Sequence, residues 1–282
     1  MNTTTLLGNK PVNRMGFGAM QLAGPGVFGP PRDPAAARAV LLRAVELGVD
    51  HIDTSQYYGP DVVNDLIRES LYPYPDNLKL VTKVGARRDA AGGIFPAQRP
   101  AELVEGVEAN LRSLRVERLD LVNLRLVGTP SGTVTPLEEQ LGALEELRKA
   151  GKLDLIGLSN VDRAQVQRAL ELVDVAEIQN LYNVIDRRDD DLVTFAGEHE
   201  IAFVPFFPLA GGPAQLGRRA SVVRVANAHG ASTPQVALAW LLARYERMLL
   251  IPGTSSVAHL QENMGATEIE LDPADLAALD AA

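Results

Sequence analysis

Leu119-Asp-Leu-Val-Asn-Leu-Arg-Leu126, then Leu137-Glu-Glu-Gln-Leu-Gly-Ala-Leu-Glu-Glu-Leu-Arg-Lys149, Gly151 and Leu153-Asp-Leu-Ile-Gly-Leu158 make one strand–helix–strand unit. The outer runs are short and rich in Leu, Val and Ile, as parallel strands covered on both faces require. The middle run is amphipathic at helical spacing, and Gly151 stops it. The same alternation extends in both directions. After a hairpin over about Thr4 to Val12, strands are predicted at Arg14–Phe17, His51–Thr54, Leu78–Val84, Ala176–Gln179, Ala202–Pro205 and Met248–Ile251. Helices are predicted at Pro34–Leu47, Val62–Leu71, Ala101–Leu114, Arg163–Leu172 (with Asp162 as N-cap), Asp190–Glu198, Ser221–His229, Thr233–Tyr245 and Val257–Met264, with a tail helix at Pro273–Leu279. Eight strands each followed by helix, with no break in composition, imply a single α/β (β/α)8 TIM barrel over residues 1–282. A doubly wound sheet would want a G-x-G-x-x-G turn. Gly16-Phe-Gly-Ala-Met20 instead enters a Gly/Pro loop, Gly24 to Pro31.

Composition narrows the function classes. The chain has no cysteine, which excludes disulfides, thiolate metal sites and cysteine nucleophiles. Its four histidines are scattered without ligand spacing, so no metal is expected. A net charge of −9 argues against nucleic acid or an anionic membrane as a partner. Met1-Asn-Thr-Thr-Thr5 lacks the basic and apolar regions of a signal peptide, and the longest apolar run, Val236–Ala243, is too short to span a bilayer. A cytoplasmic protein is expected.

Active sites of such barrels lie at the C-terminal ends of the strands. Here those ends carry Asp53 followed by Tyr58, then Lys83, Arg125, Ser159-Asn160, Gln179-Asn180, Phe206-Phe207 and Thr254-Ser255. A phenol titrates near 10 and is a weak acid at neutral pH. A Lys⁺ beside it, itself held by a carboxylate, would favour the phenolate and make Tyr a better proton donor. Taken singly, such residues more often form a buried Tyr next to a structural ion pair.

Together, Asp53-Thr-x-x-x-Tyr58-Gly59, the Lys83 strand, Gly157-Leu-Ser-Asn160, Gln179-Asn180-x-Tyr182-Asn183 and Ile251-Pro-Gly with Glu262-Asn263 resemble the aldo-keto reductase family across essentially the whole chain. The resemblance implies hydride transfer from a nicotinamide cofactor, NADPH before NADH, to an aldehyde or ketone. It implies Tyr58 as general acid, Lys83 lowering its pKa and Asp53 holding Lys83. Ser159, Asn160 and Gln179 would bind the carboxamide, and Phe206 would stack under the ring. Met20, Pro208, Leu209, Gly253 and Glu262 complete the implied cofactor site. Thr254, Ser255 and Ser256 stand at a helix N-terminus, where free N–H groups favour phosphate. His259 falls where many members place an Arg on the 2′-phosphate, and Asn263 where the adenine is contacted.

Three further positions depart from the family pattern. Arg125 stands where the tetrad usually has His; it cannot usefully donate a proton, but it can hold the carbonyl oxygen and favour ionised Tyr58. A structural Arg paired with a loop carboxylate is the alternative. Gly253 replaces a common Lys, and Phe207 a Ser near the pyrophosphate. Gly18–Asp33, Val122-Asn-Leu-Arg125 and Pro205-Phe-Phe-Pro-Leu209 are similar to a bacterial pyridoxal reductase subgroup. That likeness implies reduction of pyridoxal to pyridoxine, with another small aldehyde, keto sugar or cyclitol as alternative substrates. A cofactor-binding sensor with vestigial turnover is the alternative from a different class. The loops Gly24–Arg32, Arg87–Gln98 and Val127–Pro136 are expected to line an open site for a small-molecule carbonyl. Monomer and weak homo-oligomer both remain compatible.

Overall fold

The computed structural model describes residues 3–127 and 135–282. An antiparallel hairpin, β1 (Thr4–Leu7) and β2 (Lys10–Asn13), opens the chain. It plugs the end of the barrel at which the strands begin. Leu7 and Val12 pack fully buried against Leu121, Val204 and Leu249, each contributing roughly 1.5–3 kcal/mol relative to exposure. Lys10 ties the plug down through Asp120 at 3.0 Å and Asp154 at 2.6 Å.

The parallel sheet runs β3 (Phe17–Gly18), β4 (His51–Asp53), β5 (Lys79–Arg88), then β7 (Leu119–Arg125), β8 (Leu153–Ser159), β9 (Val175–Leu181) and β10 (Ala202–Phe206). β6 (Ile94–Ala97) folds back antiparallel on β5. The expected eighth strand, Met248–Ile251, closes the ring through bridges rather than a ladder. Phe203 N–H donates to Arg247 O and Leu249 N–H to Phe203 O on one side. On the other, Leu250 N–H donates to Arg14 O and Gly16 N–H to Leu250 O. Gly18 is required at this seam, because a Cβ there would lie 2.4 Å from Ile251 O.

The helices follow the sequence pattern. They are α1 (Pro34–Glu46), α2 (Val62–Leu71), α3 (Pro100–Leu114), α4 (Leu137–Lys149), α5 (Arg163–Leu170), α6 (Asp190–Glu198), α7 (Pro213–Leu216), α8 (Ala220–Ala228), α9 (Thr233–Arg244), α10 (Val257–Met264) and α11 (Pro273–Asp280). Asp162 caps α5 as expected, accepting from Gln165 N–H at 2.8 Å. No helix among the described residues is long and apolar enough to cross a membrane.

Several boundaries differ from expectation. The first barrel strand is Phe17–Gly18 rather than Arg14–Phe17, with Met15 joined to Leu250 by an isolated bridge, and buried Arg14 spends its guanidinium on Leu242 O, Tyr245 O and Met248 O, tethering the end of α9. α5 stops at Leu170, two residues early. The expected loop Arg87–Gln98 is mostly a hairpin. Gly85, at φ +98, bends β5 across Arg125 O, where a Cβ would come within 2.4 Å, and lets β6 pair with it. The short α7 is an addition to the expected helices. Most of the loop expected over Val127–Pro136 lies outside the described residues.

Candidate active site

Strand alternation sets the first contacts. Val81 faces the barrel core from β5, so Lys83, two residues on, points inward as well. β4 ends beside it at Asp53. Both residues are only 3% exposed, and Lys83 Nζ donates a hydrogen bond to Asp53 Oδ1. Lys83 also donates to Thr54 O at 3.2 Å. Gln179 Nε2 donates to Asp53 Oδ2 at 2.9 Å, so both carboxylate oxygens are engaged.

Tyr58 sits in the turn after β4, its ring centroid 5.2 Å from Lys83 Nζ and edge-on to Tyr57 at 5.3 Å. Among the described residues none hydrogen-bonds its hydroxyl, and the side chain lines the main cavity. Burial pushes the phenol well above its ordinary pKa, and the charge of Asp53 adds to that rise. Arg125 and Arg88 pull the other way. Lys83, the cation expected to lower Tyr58, donates to Asp53 and Thr54 with its Nζ facing the Tyr58 ring.

Arg125 ends β7 with Nη1 donating to Ser159 Oγ at 3.0 Å. Its guanidinium lies 5.2 Å from the Phe206 ring centroid. Among the described residues no carboxylate pairs with it, which disfavours the reading of Arg125 as half of a structural ion pair.

The main cavity encloses about 480 Å³. Asp53, Tyr58, Gln179 and Phe206 line its inner end. Met20, Phe207, Pro208, Leu209, Gly253 and Thr254 form its walls, and His259, Glu262 and Asn263 its far end. Asn263 is buried, whereas His259 is exposed. Thr254 Oγ1 accepts from Ser256 N–H at 3.1 Å, and Ser256 Oγ from His259 N–H at 3.4 Å, so these hydroxyls cap α10. Among the described residues no Lys or Arg lines this cavity.

Three residues expected at the cofactor are outside the lining of this cavity. Ser159 is wholly buried, with its Oγ taken by Arg125. Asn160 adopts φ +61 and turns its Nδ2 onto Leu126 O at 2.7 Å. It borders a neighbouring opening of about 500 Å³ with Arg125, Asn180 and Arg188, separated from the main cavity by Phe206. Ser255 is exposed and outside the lining.

Sequence reasoning missed other parts. Gln21, the Gly211-Gly212-Pro213 turn and Pro234 also line the cavity. The Gly-Gly-Pro run after a strand end was the available signal. Beneath the cavity, Glu177 is buried in β9 and Asn123 in β7, with Asn123 Nδ2 donating to Glu177 Oε1 at 2.7 Å. Among the described residues Gln179 Oε1 is buried without a partner. An unpaired buried amide oxygen is costly, and a ligand N–H arriving from the cavity would satisfy it. That acceptor beside the Phe206 ring fits a flat aromatic amide such as nicotinamide.

The sequence model of the Aldo/keto reductase family matches residues 14–282. Pyridoxine 4-dehydrogenase of Escherichia coli (strain K12) is 50% identical over 285 residues, covering 99% of this chain and 98% of that protein. An uncharacterized oxidoreductase of Schizosaccharomyces pombe is 36% identical, covering 98% and 89%. Among solved structures, an aldo-keto reductase from Klebsiella pneumoniae in complex with NADPH superposes with a TM-score of 0.84 at 26% identity, covering 100% of this chain and 95% of that one.

Proposed function

The chain belongs to the aldo/keto reductase family, and from that premise we propose that it interconverts pyridoxal and pyridoxine with NADPH/NADP⁺, Tyr58 acting as general acid in the reducing direction. The observation that carries this reading is the pairing, in one cavity, of an uncommitted Tyr58 hydroxyl with an uncommitted Gln179 amide oxygen. The near-full-length likeness to a pyridoxine 4-dehydrogenase supports the substrate, and the NADPH complex of a structural relative supports the cofactor.

The bound reduced nicotinamide supplies the hydride to the carbonyl carbon. Tyr58 gives its phenolic proton to the carbonyl oxygen. A developing alkoxide is a much stronger base than a phenolate, so the transfer runs downhill even from a phenol raised by burial. Arg125 supplies positive charge near Tyr58, stabilising the phenolate that remains. Asp53 and Lys83 hold Gln179 and the floor of the cavity as a nearly neutral pair. Gln179 is the main carboxamide contact, Ser159 positions Arg125, and Phe206 offers the stacking face. Met20, Pro208 and Leu209 provide apolar wall. Thr254, His259, Glu262 and Asn263 receive the adenosine end, with His259 placed for the 2′-phosphate.

The test is NADPH oxidation against pyridoxal and a panel of small aldehydes, keto sugars and cyclitol ketones, with NADH in parallel. Pyridoxal should give the highest kcat/KM, by at least about tenfold, with NADPH preferred. A faster carbonyl elsewhere in the panel, or no reduction of pyridoxal, would overturn the substrate assignment.

A further inference from the structure

The barrel interior holds a second carboxyl group for which the reaction above has no use. Glu177 lies two residues before Gln179 in β9, on the same inward face, and is 2% exposed. No Lys or Arg pairs directly with it among the described residues. Burial pushes its pKa up to about 7. The Asn123 hydrogen bond opposes that rise, Asp53 adds to it, and Lys83 and the Gln179 hydrogen bond oppose it. Oε1 accepts from Asn123 Nδ2 at 2.7 Å and from Gln179 Nε2 at 3.3 Å.

The consequence falls on Gln179. A primary amide has two N–H bonds, and its two flips exchange nitrogen for oxygen. Behind Gln179 stand two acceptors, Asp53 Oδ2 at 2.9 Å and Glu177 Oε1 at 3.3 Å. Turning the oxygen inward would face it with both and forfeit both hydrogen bonds. The nitrogen therefore points into the protein, and the unpartnered Oε1 is left as the acceptor. Asp53 alone would occupy only one N–H, and it is already shared with Lys83. Asn123 in turn pins Glu177 in place.

We propose that Glu177 is a positioning residue for cofactor recognition: with Asp53 it takes both N–H groups of Gln179 and so fixes the amide oxygen as the acceptor for the carboxamide N–H of the nicotinamide. This rests on the nicotinamide reading of the cavity. The probe pair is NADP⁺ and its 3-acetylpyridine analogue, in which a methyl ketone replaces the carboxamide and no N–H remains. Dissociation constants for both are measured by calorimetry on the wild type, Glu177→Gln, Glu177→Met and Glu177→Asp.

The wild type should prefer NADP⁺ over the analogue by about tenfold, the worth of one well-made hydrogen bond. Glu177→Met should reduce the preference to about twofold while leaving analogue binding nearly unchanged. Glu177→Asp, which withdraws the acceptor by one carbon, should lose the preference likewise and guards against a Met variant that fails to fold. Glu177→Gln keeps an acceptor oxygen and should keep the preference. Retention of the full preference in both Glu177→Met and Glu177→Asp would overturn the proposal, as would its loss in Glu177→Gln. Failure of the wild type to bind either dinucleotide would instead remove the nicotinamide reading beneath it.

Discussion

The two ends of the cavity are built on opposite terms. At the inner end, Asp53, Lys83, Gln179 and Glu177 are buried and bonded to one another. Most polar atoms there are committed, and among the described residues the Tyr58 hydroxyl, Gln179 Oε1 and Asn123 Oδ1 are left over. At the outer end, His259 is exposed and Glu262 half-buried, and no Lys or Arg lines the wall among the described residues. A preorganised site acts on the transition state, whereas loosely held surface groups act on binding. Substitutions at the inner end should therefore cost turnover, and those at the outer end cofactor preference.

The sharpest break in that comparison is Tyr58→Phe. Only the transition state uses its proton, so kcat should fall by about 10²- to 10⁴-fold while the NADPH Kd stays within a few-fold. Stopped-flow turnover with parallel fluorescence titration reads both, and retained turnover would end the general-acid assignment. Next comes Arg125→His. Reduction needs Tyr58 protonated, so its rate falls as pH rises through the phenol's pKa. Burial holds that pKa well above the ordinary value near 10, so the profile should stay flat up to about pH 9 in both proteins and the loss of the cation should read out in kcat. The fall in kcat should be about 10- to 100-fold. An unchanged rate would make Arg125 structural.

How far the sequence reached follows the same division. Asp53, Lys83 and Gln179 were legible because strand ends and two-residue alternation dictate where side chains point. Glu177 obeys the same rule, yet a single acidic residue in Val175-Ala-Glu-Ile-Gln179 reads as the outward member of the strand. Only its step of two from Gln179 marks it as inward. Ser159 and Asn160 show how far a motif alone reaches. Their motif locates the backbone correctly, but the positive φ at Asn160 and the reach of Arg125 decide where the side chains go. That decision is tertiary, as is the burial that raises the Tyr58 phenol. The β6 hairpin escaped for a local reason: Gly92-Gly93 reads as loop, and nothing nearby alternates over more than a few residues.

Glu177 also sharpens the comparison through stability. Its folded pKa, about 7, lies above the ordinary carboxylate value of 4.5. Below about pH 4.5 the group is protonated in both states and costs nothing. Between there and about pH 7 the unfolded chain ionises while the folded one resists, so stability falls as pH rises, then levels off. Glu177→Gln removes that loss. Each tenfold difference in proton affinity between the folded and unfolded chain is worth about 1.4 kcal/mol. The variant should therefore match the wild type near pH 4 and exceed it by a few kcal/mol at most at about pH 8. Urea unfolding at the two pH values checks it, and equal differences at both would mean Glu177 does not titrate in this range.

The smallest effect belongs to the outer end. His259→Ala should raise KM for NADPH by about three- to fivefold, because an exposed imidazole facing a phosphate gains little against solvent and salt. NADH, lacking the 2′-phosphate, should be nearly unaffected, and the NADPH penalty should shrink above about 0.5 M salt as screening removes what the imidazole supplied. Glu262→Gln, which deletes a negative charge from the same wall, should act in the opposite direction by a similar factor. If His259→Ala weakens both cofactors equally, the residue holds the backbone of α10 rather than the phosphate. The selectivity of the outer end would then have to come from the backbone N–H groups of Thr254 and Ser255 alone, which would bind phosphate by geometry and would discriminate NADPH from NADH much less steeply.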